Sequence, residues 1–264
     1  MLAPYLAFAR AAFQRQLAYR VANWAGLFTN VFFLFFRAFA LKACFQARDT
    51  IGGLDVVDVV TYATVTQALL MVCPQWGSTG LAASVRSGHV AVELLRPVDL
   101  VGSYLARRLA VSAYYAGFRM LPVLAVGAAA GLLAFRTPVA TLVPFAFSVA
   151  LGAWIAICIM IVVDLSSFWL ESERGFRYLL MGSALLPSGL LIPLSFYPGW
   201  LQAIFALTPF PHTMYSATRI WLGQVAGVDL AVLLLTQLAW AAALTVLCRL
   251  TLRAGARRLQ VLGG

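Results

Sequence analysis

Charge is scarce in this chain. Only 11% of its 264 residues are charged, against about 25% in a typical soluble domain. Lysine is almost missing: Lys42 is the only one among 19 basic residues. It lies in the run Phe39-Ala-Leu-Lys-Ala-Cys-Phe45, with no glycine-rich loop before it. A phosphate cradle that ends in lysine is therefore absent, and the chain does not hydrolyse ATP by itself. Histidine is as rare, with only His89 and His212. The topology derived below puts them on opposite sides of a membrane, which excludes a metal centre. Neither lies inside an apolar run, so a serine–histidine pair at membrane depth is excluded too. Carboxylates also avoid the interiors of the apolar runs. Asp58 and Asp164 come nearest, so ion-coupled transport through an intramembrane acid has little to stand on. The four cysteines, Cys44, Cys73, Cys158 and Cys248, have no metal or redox spacing and read as small buried hydrophobes. A short basic head before an apolar stretch is missing as well, because Arg10, Arg15 and Arg20 are spread over an amphipathic segment. No cleavable signal peptide is expected.

Apolar residues fill the space. They make up 62% of the chain, and the mean hydropathy is +0.90. This is the composition of a membrane protein. At about 20 residues per span, the length allows roughly six. The expected fold is all-α and polytopic, a single transmembrane domain over residues 1–264. Residues 4–20 form an interfacial helix with arginines toward headgroups. Spans follow at Val21–Cys44, Val56–Trp76, Val111–Ala134 (kinked near Pro122), Val139–Val163, Tyr178–Phe196 and Val228–Cys248. The net charge of +10 sits at the ends of these runs, where it signals topology rather than nucleic-acid binding. With the N-terminus inside, cytoplasmic segments carry Arg10, Arg15, Arg20, Arg86, Arg96, Arg107, Arg108, Arg174, Arg177, Arg249, Arg253, Arg257 and Arg258. Outer segments carry only Lys42, Arg48, Arg136 and Arg219. Both termini are thus expected in the cytoplasm.

Residues 197–227 break the pattern. Pro198, Pro209 and Pro211 alternate with Trp200, Phe205, Phe210 and Trp221. The segment is too apolar for an ordinary loop and too broken to cross. It is expected to form two short helices dipping into the outer leaflet. Backbone freed there by Pro193 and Pro198 needs protein partners, since lipid offers none. The partner expected is a second copy or a homologous chain, with Pro193, Phe196, Tyr197, Pro198, Trp200 and Pro209 forming an outer gate. Two cations fall inside spans. Arg37 is expected to snorkel outward; Arg119 either packs against backbone carbonyls or lines a substrate path. Aromatic runs such as Val31-Phe-Phe-Leu-Phe-Phe36 fit lipid contact and helix packing, or a path for an apolar compound.

The longest polar interruption runs from Ser84 to Arg108. It contains Arg86, Gly88 and then Val92-Glu-Leu-Leu-Arg-Pro-Val98, with Arg86, Glu93 and Arg96 as charges beside an apolar side of Val90, Val92, Leu94 and Leu95. This loop resembles the cytoplasmic loop of ABC-2 type transporter permeases. The run Leu191-Ile-Pro-Leu-Ser-Phe-Tyr-Pro-Gly-Trp-Leu201, followed by Thr208-Pro-Phe210 and Leu222-Gly223, is similar to the same family, above all to its bacterial viologen and drug exporters. The resemblance implies a permease subunit of an exporter in the bacterial inner membrane, moving a hydrophobic or amphipathic compound. Two permease chains, alike or different, would pair over two ATP-binding subunits, which hold the ATP and magnesium; this chain binds no cofactor. Residues 84–99 would be the coupling loop, with Arg86, Gly88, Glu93, Leu95, Arg96 and Pro97 as its contact residues. An ion-coupled exporter, or a polytopic membrane enzyme or scaffold without an ATPase, remains as an alternative. A gene for a nucleotide-binding subunit next door separates these readings.

Overall fold

The computed structural model describes residues 3–45, 49–74, 77–135 and 138–258. Trp76, Arg48 and Arg136, used above in the second span and the charge count, lie outside the described residues. In chain order the elements are α1 (Ala3–Ala18), α2 (Arg20–Ala43), the antiparallel hairpin β1 (Thr50–Ile51) and β2 (Leu54–Asp55), α3 (Val56–Leu69), α4 (Leu81–Arg86), α5 (His89–Leu94), α6 (Leu100–Tyr115), α7 (Leu121–Ala129), α8 (Leu142–Leu165), α9 (Arg174–Ala184), α10 (Gly199–Ala206), α11 (Tyr215–Trp221) and α12 (Gly227–Ala256).

Four helical stretches are long and apolar enough to cross a membrane: Val21–Ala43, Leu100–Ala129, Val139–Phe168 and Gly227–Ala256. The third, built on α8, is apolar on every face and forms the centre of the bundle. Of its most apolar window 72% is buried, against 22% for those of α2 and α12. A helix apolar all round belongs inside, while α2 and α12 leave broad apolar faces for lipid or another chain. α8 and α12 run parallel, tied by Gln237–Ser148, Thr245–Trp154 and Cys248–Cys158 contacts in rising order. Helix starts follow local chemistry. Asp55 and Asp58 form a capping box on α3, and the Asp99 carboxylate accepts the Gly102 N–H at 3.0 Å to cap α6.

The amphipathic α1 packs on protein. Tyr5, Phe8, Ala9, Ala12, Phe13 and Gln16 form its half-buried stripe, at the three- and four-residue spacing of one helix face. The stripe lies along α6: the Tyr5 hydroxyl accepts the Asp99 N–H, and Phe13 meets Tyr114 edge-on at 5.5 Å. The third span accordingly begins at Leu100 rather than Val111, and Arg107, counted above as a loop residue, sits in α6 against the Phe8 and Tyr104 rings at 4.5 and 5.2 Å. The distortion expected at Pro122 appears just before it, as a π turn over Ala116–Met120. A proline has no N–H to give and its ring crowds the carbonyl four residues back; one wide turn absorbs both problems without ending the helix.

Where the second and fifth spans were expected, the helices are too short to count among the four long apolar ones. α3 has 14 residues. α9 has 11 and ends at Ala184, where Pro187 disfavours helix for the residue before it. Turns then carry the chain to Pro193 and Pro198, which open a 3-10 turn over Leu194–Phe196 and helix α10. The two short helices expected in residues 197–227 are α10 and α11. The carbonyls of Gly189 and Leu190, just before Pro193, find partners within the chain. Arg37 donates to the Leu190 carbonyl, to Gln67 Oε1 at 2.9 Å and to Thr66 Oγ1 at 3.1 Å. The Tyr62 hydroxyl donates to the Gly189 carbonyl. Arg37 therefore turns inward instead of snorkelling, because three acceptors await it inside the protein.

Replacing Arg37 with Met strands the Leu190 carbonyl and the Gln67 side-chain carbonyl. A loss of roughly 3 kcal/mol is expected from hydrogen bonds to a charged group. A thermal melt in detergent should show a clear drop for Arg37→Met and almost none for Thr29→Val, at an exposed position on the same helix.

Candidate functional site

The loop between the second and third spans is two short helices, α4 and α5. Gly88 joins them at φ +72°, a left-handed turn that a side chain would strain. In α5 the three-residue spacing puts Val90 and Glu93 on one face, and both are buried. Glu93 Oε2 accepts the Ser84 hydroxyl at 2.8 Å and the Tyr104 hydroxyl at 3.0 Å. Glu93 was expected among the outward charges; it braces α4 and α5 on α6 instead. The carboxylate turns in because two hydroxyl donors meet it there. The outward face carries Val92, 52% exposed, and Leu95, 85% exposed, with Arg96 and Pro97 beside them. An apolar patch edged by one arginine is thus what the loop presents.

Arg86 and Gly88 are exposed too, but Arg86 also pairs inward with Glu173. Glu173 in turn pairs with Arg177 at 3.2 Å, and Arg177 with Asp164 at 2.6 Å. Arg177 donates as well to the Gly77 carbonyl. Asp164 is fully buried at the end of α8 and accepts the Ser78 hydroxyl, the Thr79 hydroxyl and the Thr79 N–H at 2.8 Å. This chain of four charges fastens the α4–α5 loop to the ends of α8 and α9. Sequence reasoning used Arg177 only as a topology charge and Asp164 only as an acid near membrane depth. The one signal for their meeting was the four-residue spacing of Glu173 and Arg177; the link to Asp164 and Arg86 is tertiary.

At the opposite end of the bundle, the residues of the expected gate separate. Phe196 is 6.4 Å from the Phe45 ring and packs against the cluster of Leu41, Leu54 and Val59. Tyr197 meets Phe205 edge-on at 5.4 Å. Both rings make these contacts within the chain and stay partly exposed. Pro193 is buried and Pro198 exposed, while Pro209 starts the turn over Phe210–His212. Of the aromatics in the expected gate, Trp200 alone stands out, 66% exposed. Arg119 lies in the π turn, half-buried, with its guanidinium over the Tyr115 ring at 4.9 Å and against Gly26, where any Cβ would collide with it. It packs α2 onto the α6–α7 junction, and among the described residues it has no carboxylate partner.

Between α10, α11 and the first turns of α12 lies a cavity of about 830 Å3, roofed by the β1–β2 hairpin. His212 lines it, its Nδ1 3.0 Å from the Ser216 hydroxyl. Burial, and then the charge of Arg219, push its imidazole down to about 4, so it is neutral at ordinary pH. Among the described residues no group of three or more His, Cys, Asp or Glu is placed to hold a metal ion.

Arg177→Ala leaves Asp164 buried without its cation, and a loss of about 3–5 kcal/mol is expected. Glu93→Ala should cost about 1–3 kcal/mol through two stranded hydroxyls and open the α4–α5 loop to protease, while Glu93→Gln keeps most of the stability. Melting curves and limited proteolysis of the purified protein check both.

Residues 31–263 match the family model described as ABC-2 family transporter protein. No curated protein and no solved structure matches the chain. The match covers all four long apolar helices apart from the first turns of α2, together with the braced loop and the broken segment. The chain belongs to the ABC-2 transporter family, as a multi-pass membrane component.

Proposed function

We propose that the chain is the permease half of an ATP-driven exporter of hydrophobic or amphipathic compounds, in the viologen and drug exporter branch of the family. Two permease chains pair, and two ATP-binding subunits dock beneath them, carrying the ATP and magnesium. Both termini and the α4–α5 loop lie in the cytoplasm of a bacterium, with the hairpin, α10 and α11 at the outer face of the inner membrane. The chain crosses six times, α3 and α9 completing their passages in irregular backbone packed against protein, as membranes require.

One observation carries the docking assignment: Val92 and Leu95 are exposed on a loop whose acid, Glu93, is buried. A loop that only marked topology would have no reason to turn its apolar residues out and its carboxylate in. An apolar knob with a basic rim fits a groove on a partner, and the ion pairs behind it give that partner a firm hold on α8 and α9. The ion-coupled alternative needs a free intramembrane acid, and Asp164 is fully engaged by Arg177, Ser78 and Thr79. The second permease chain is assigned to the exposed face of α10, at Trp200, Ile204 and Leu207.

Co-expression with an ATP-binding subunit found encoded beside the chain tests docking. Leu95→Asp and Arg96→Glu should reduce its co-purification at least tenfold, by desolvating a charge or opposing like ones, with melting curves unchanged. Normal co-purification and transport by both variants overturn the assignment. Reporter fusions after Gly53 and Gly223 should read outside, and fusions after Gly88 and at the C-terminus inside; an inside signal at Gly223 sinks the six-span arrangement. A cysteine at Trp200 should cross-link paired chains, whereas one at Tyr197 should not.

A further inference from the structure

The cavity roofed by the hairpin has a chemistry that the docking loop does not explain. Its volume, about 830 Å3, is that of a small-molecule site. Its walls divide by polarity. The α11 side offers His212, Tyr215 and Arg219; the α12 side offers Val232 and Leu233, with Val225 between. Arg219 is half-buried, and among the described residues it has no hydrogen-bond or ion-pair partner. Its guanidinium lies 5.9 Å from the centre of the Tyr215 ring. A guanidinium carries five donors in a planar fork that matches an oxyanion, and leaving them unused under partial burial is unfavourable. Ser195 adds a second unused group. It lines the same cavity, and its buried Oγ has no partner. Asp229 sits at the exposed rim, outside ion-pair distance of Arg219. The cavity therefore presents one free cation, hydroxyl donors and an apolar wall.

We propose that this cavity binds an amphipathic anion, its oxyanion head on Arg219 with help from Ser195 and its apolar body along Val225, Val232 and Leu233. With His212 neutral, Arg219 is the one cation among the lining residues, and Asp229 at the rim is the one acid. Two sources supply such a molecule: an anionic lipid of the surrounding leaflet, or a free carboxylate or sulfonate amphiphile that is the transported compound. The second source rests on the exporter function proposed above; the site itself does not.

The test uses the full-length protein in nanodiscs of phosphatidylcholine, which has no net charge. The probes are a dansyl-labelled long-chain fatty acid and its methyl ester, which keeps the apolar body and loses the anion. The acid is expected to bind at least tenfold more tightly than the ester. Arg219→Gln should remove that preference and leave ester binding as it was, which also shows that the cavity is still folded. Arg219→Lys should restore part of it, and Asp229→Asn should leave it intact or strengthen it. Equal binding of acid and ester by the unaltered protein overturns the proposal, even if the Arg219 variants fail to fold. So does a folded Arg219→Gln protein that keeps the preference, or tighter binding of a long-chain amine than of the acid. The source is then read separately. An anionic lipid that co-purifies with the protein and is lost in Arg219→Gln marks a resident lipid. Stimulation of ATP hydrolysis by the fatty acid in the assembled complex marks a substrate. If no ATP-binding subunit associates, the exporter function fails while the acid-over-ester preference still stands or falls alone.

Discussion

Backbone that leaves the helical conformation inside a bilayer must still pair its N–H and C=O groups, and lipid has nothing to pair them with. The structure of this permease turns on how that demand is met between Ala184 and Pro193. Arg37 and Tyr62, on two other helices, donate to the carbonyls of Leu190 and Gly189. Gln67 and Thr66 accept the remaining Arg37 donors, and Gln67 donates in turn to Asn30. One cation thus draws α2, α3 and the broken segment together, and its own charge is dispersed over neutral acceptors without a carboxylate. With that clamp in place, the chain can turn within the bundle and set out the short helices α10 and α11, which no straight span would allow.

A second polar chain works at the other end of the bundle by ordinary ion pairing. Asp164, Arg177, Glu173 and Arg86 alternate in sign, and the most buried member, Asp164, has the most partners. That ordering is what burial demands, since a buried charge is tolerated only when it is paired and hydrogen-bonded. The consequence is mechanical. The α4–α5 loop cannot move alone, because Arg86 ties it to α9 and Ser78 and Thr79 tie its approach to α8. These contacts connect the loop that carries Leu95 to the central helix of the bundle. The two polar systems are joined through α9, which begins at Glu173 and Arg177 and ends at the turn held by Arg37.

Much of this was legible in the residues. The membrane class, the short helices between Pro198 and Gly227, and the family were all read from composition, proline spacing and the Val92–Val98 run. In the loop, Glu93 alone of the expected contact residues turns inward. Alternation of charge and apolar residues along Arg86–Arg96 does not say which side meets α6. That was decided by the hydroxyls of Ser84 and Tyr104, which make the inward face the better place for a carboxylate. The contacts of the expected gate residues are likewise a matter of the fold. Phe196 and Tyr197 are as aromatic as Trp200, and only the positions of Phe45 and Phe205 determine which rings are already occupied.

By itself the sequence determined what short range controls: where helices begin at Asp55 and Asp99, where prolines forbid them, and which runs are too apolar for water. Those outcomes depend on residues within one or two helical turns of each other. The tertiary structure alone decided the partners of the few polar groups. Arg37 meets a carbonyl 153 residues away, and Arg86 an acid 87 residues away. In a chain with so few charges, each must find its partner across the fold, and no local pattern records the distance.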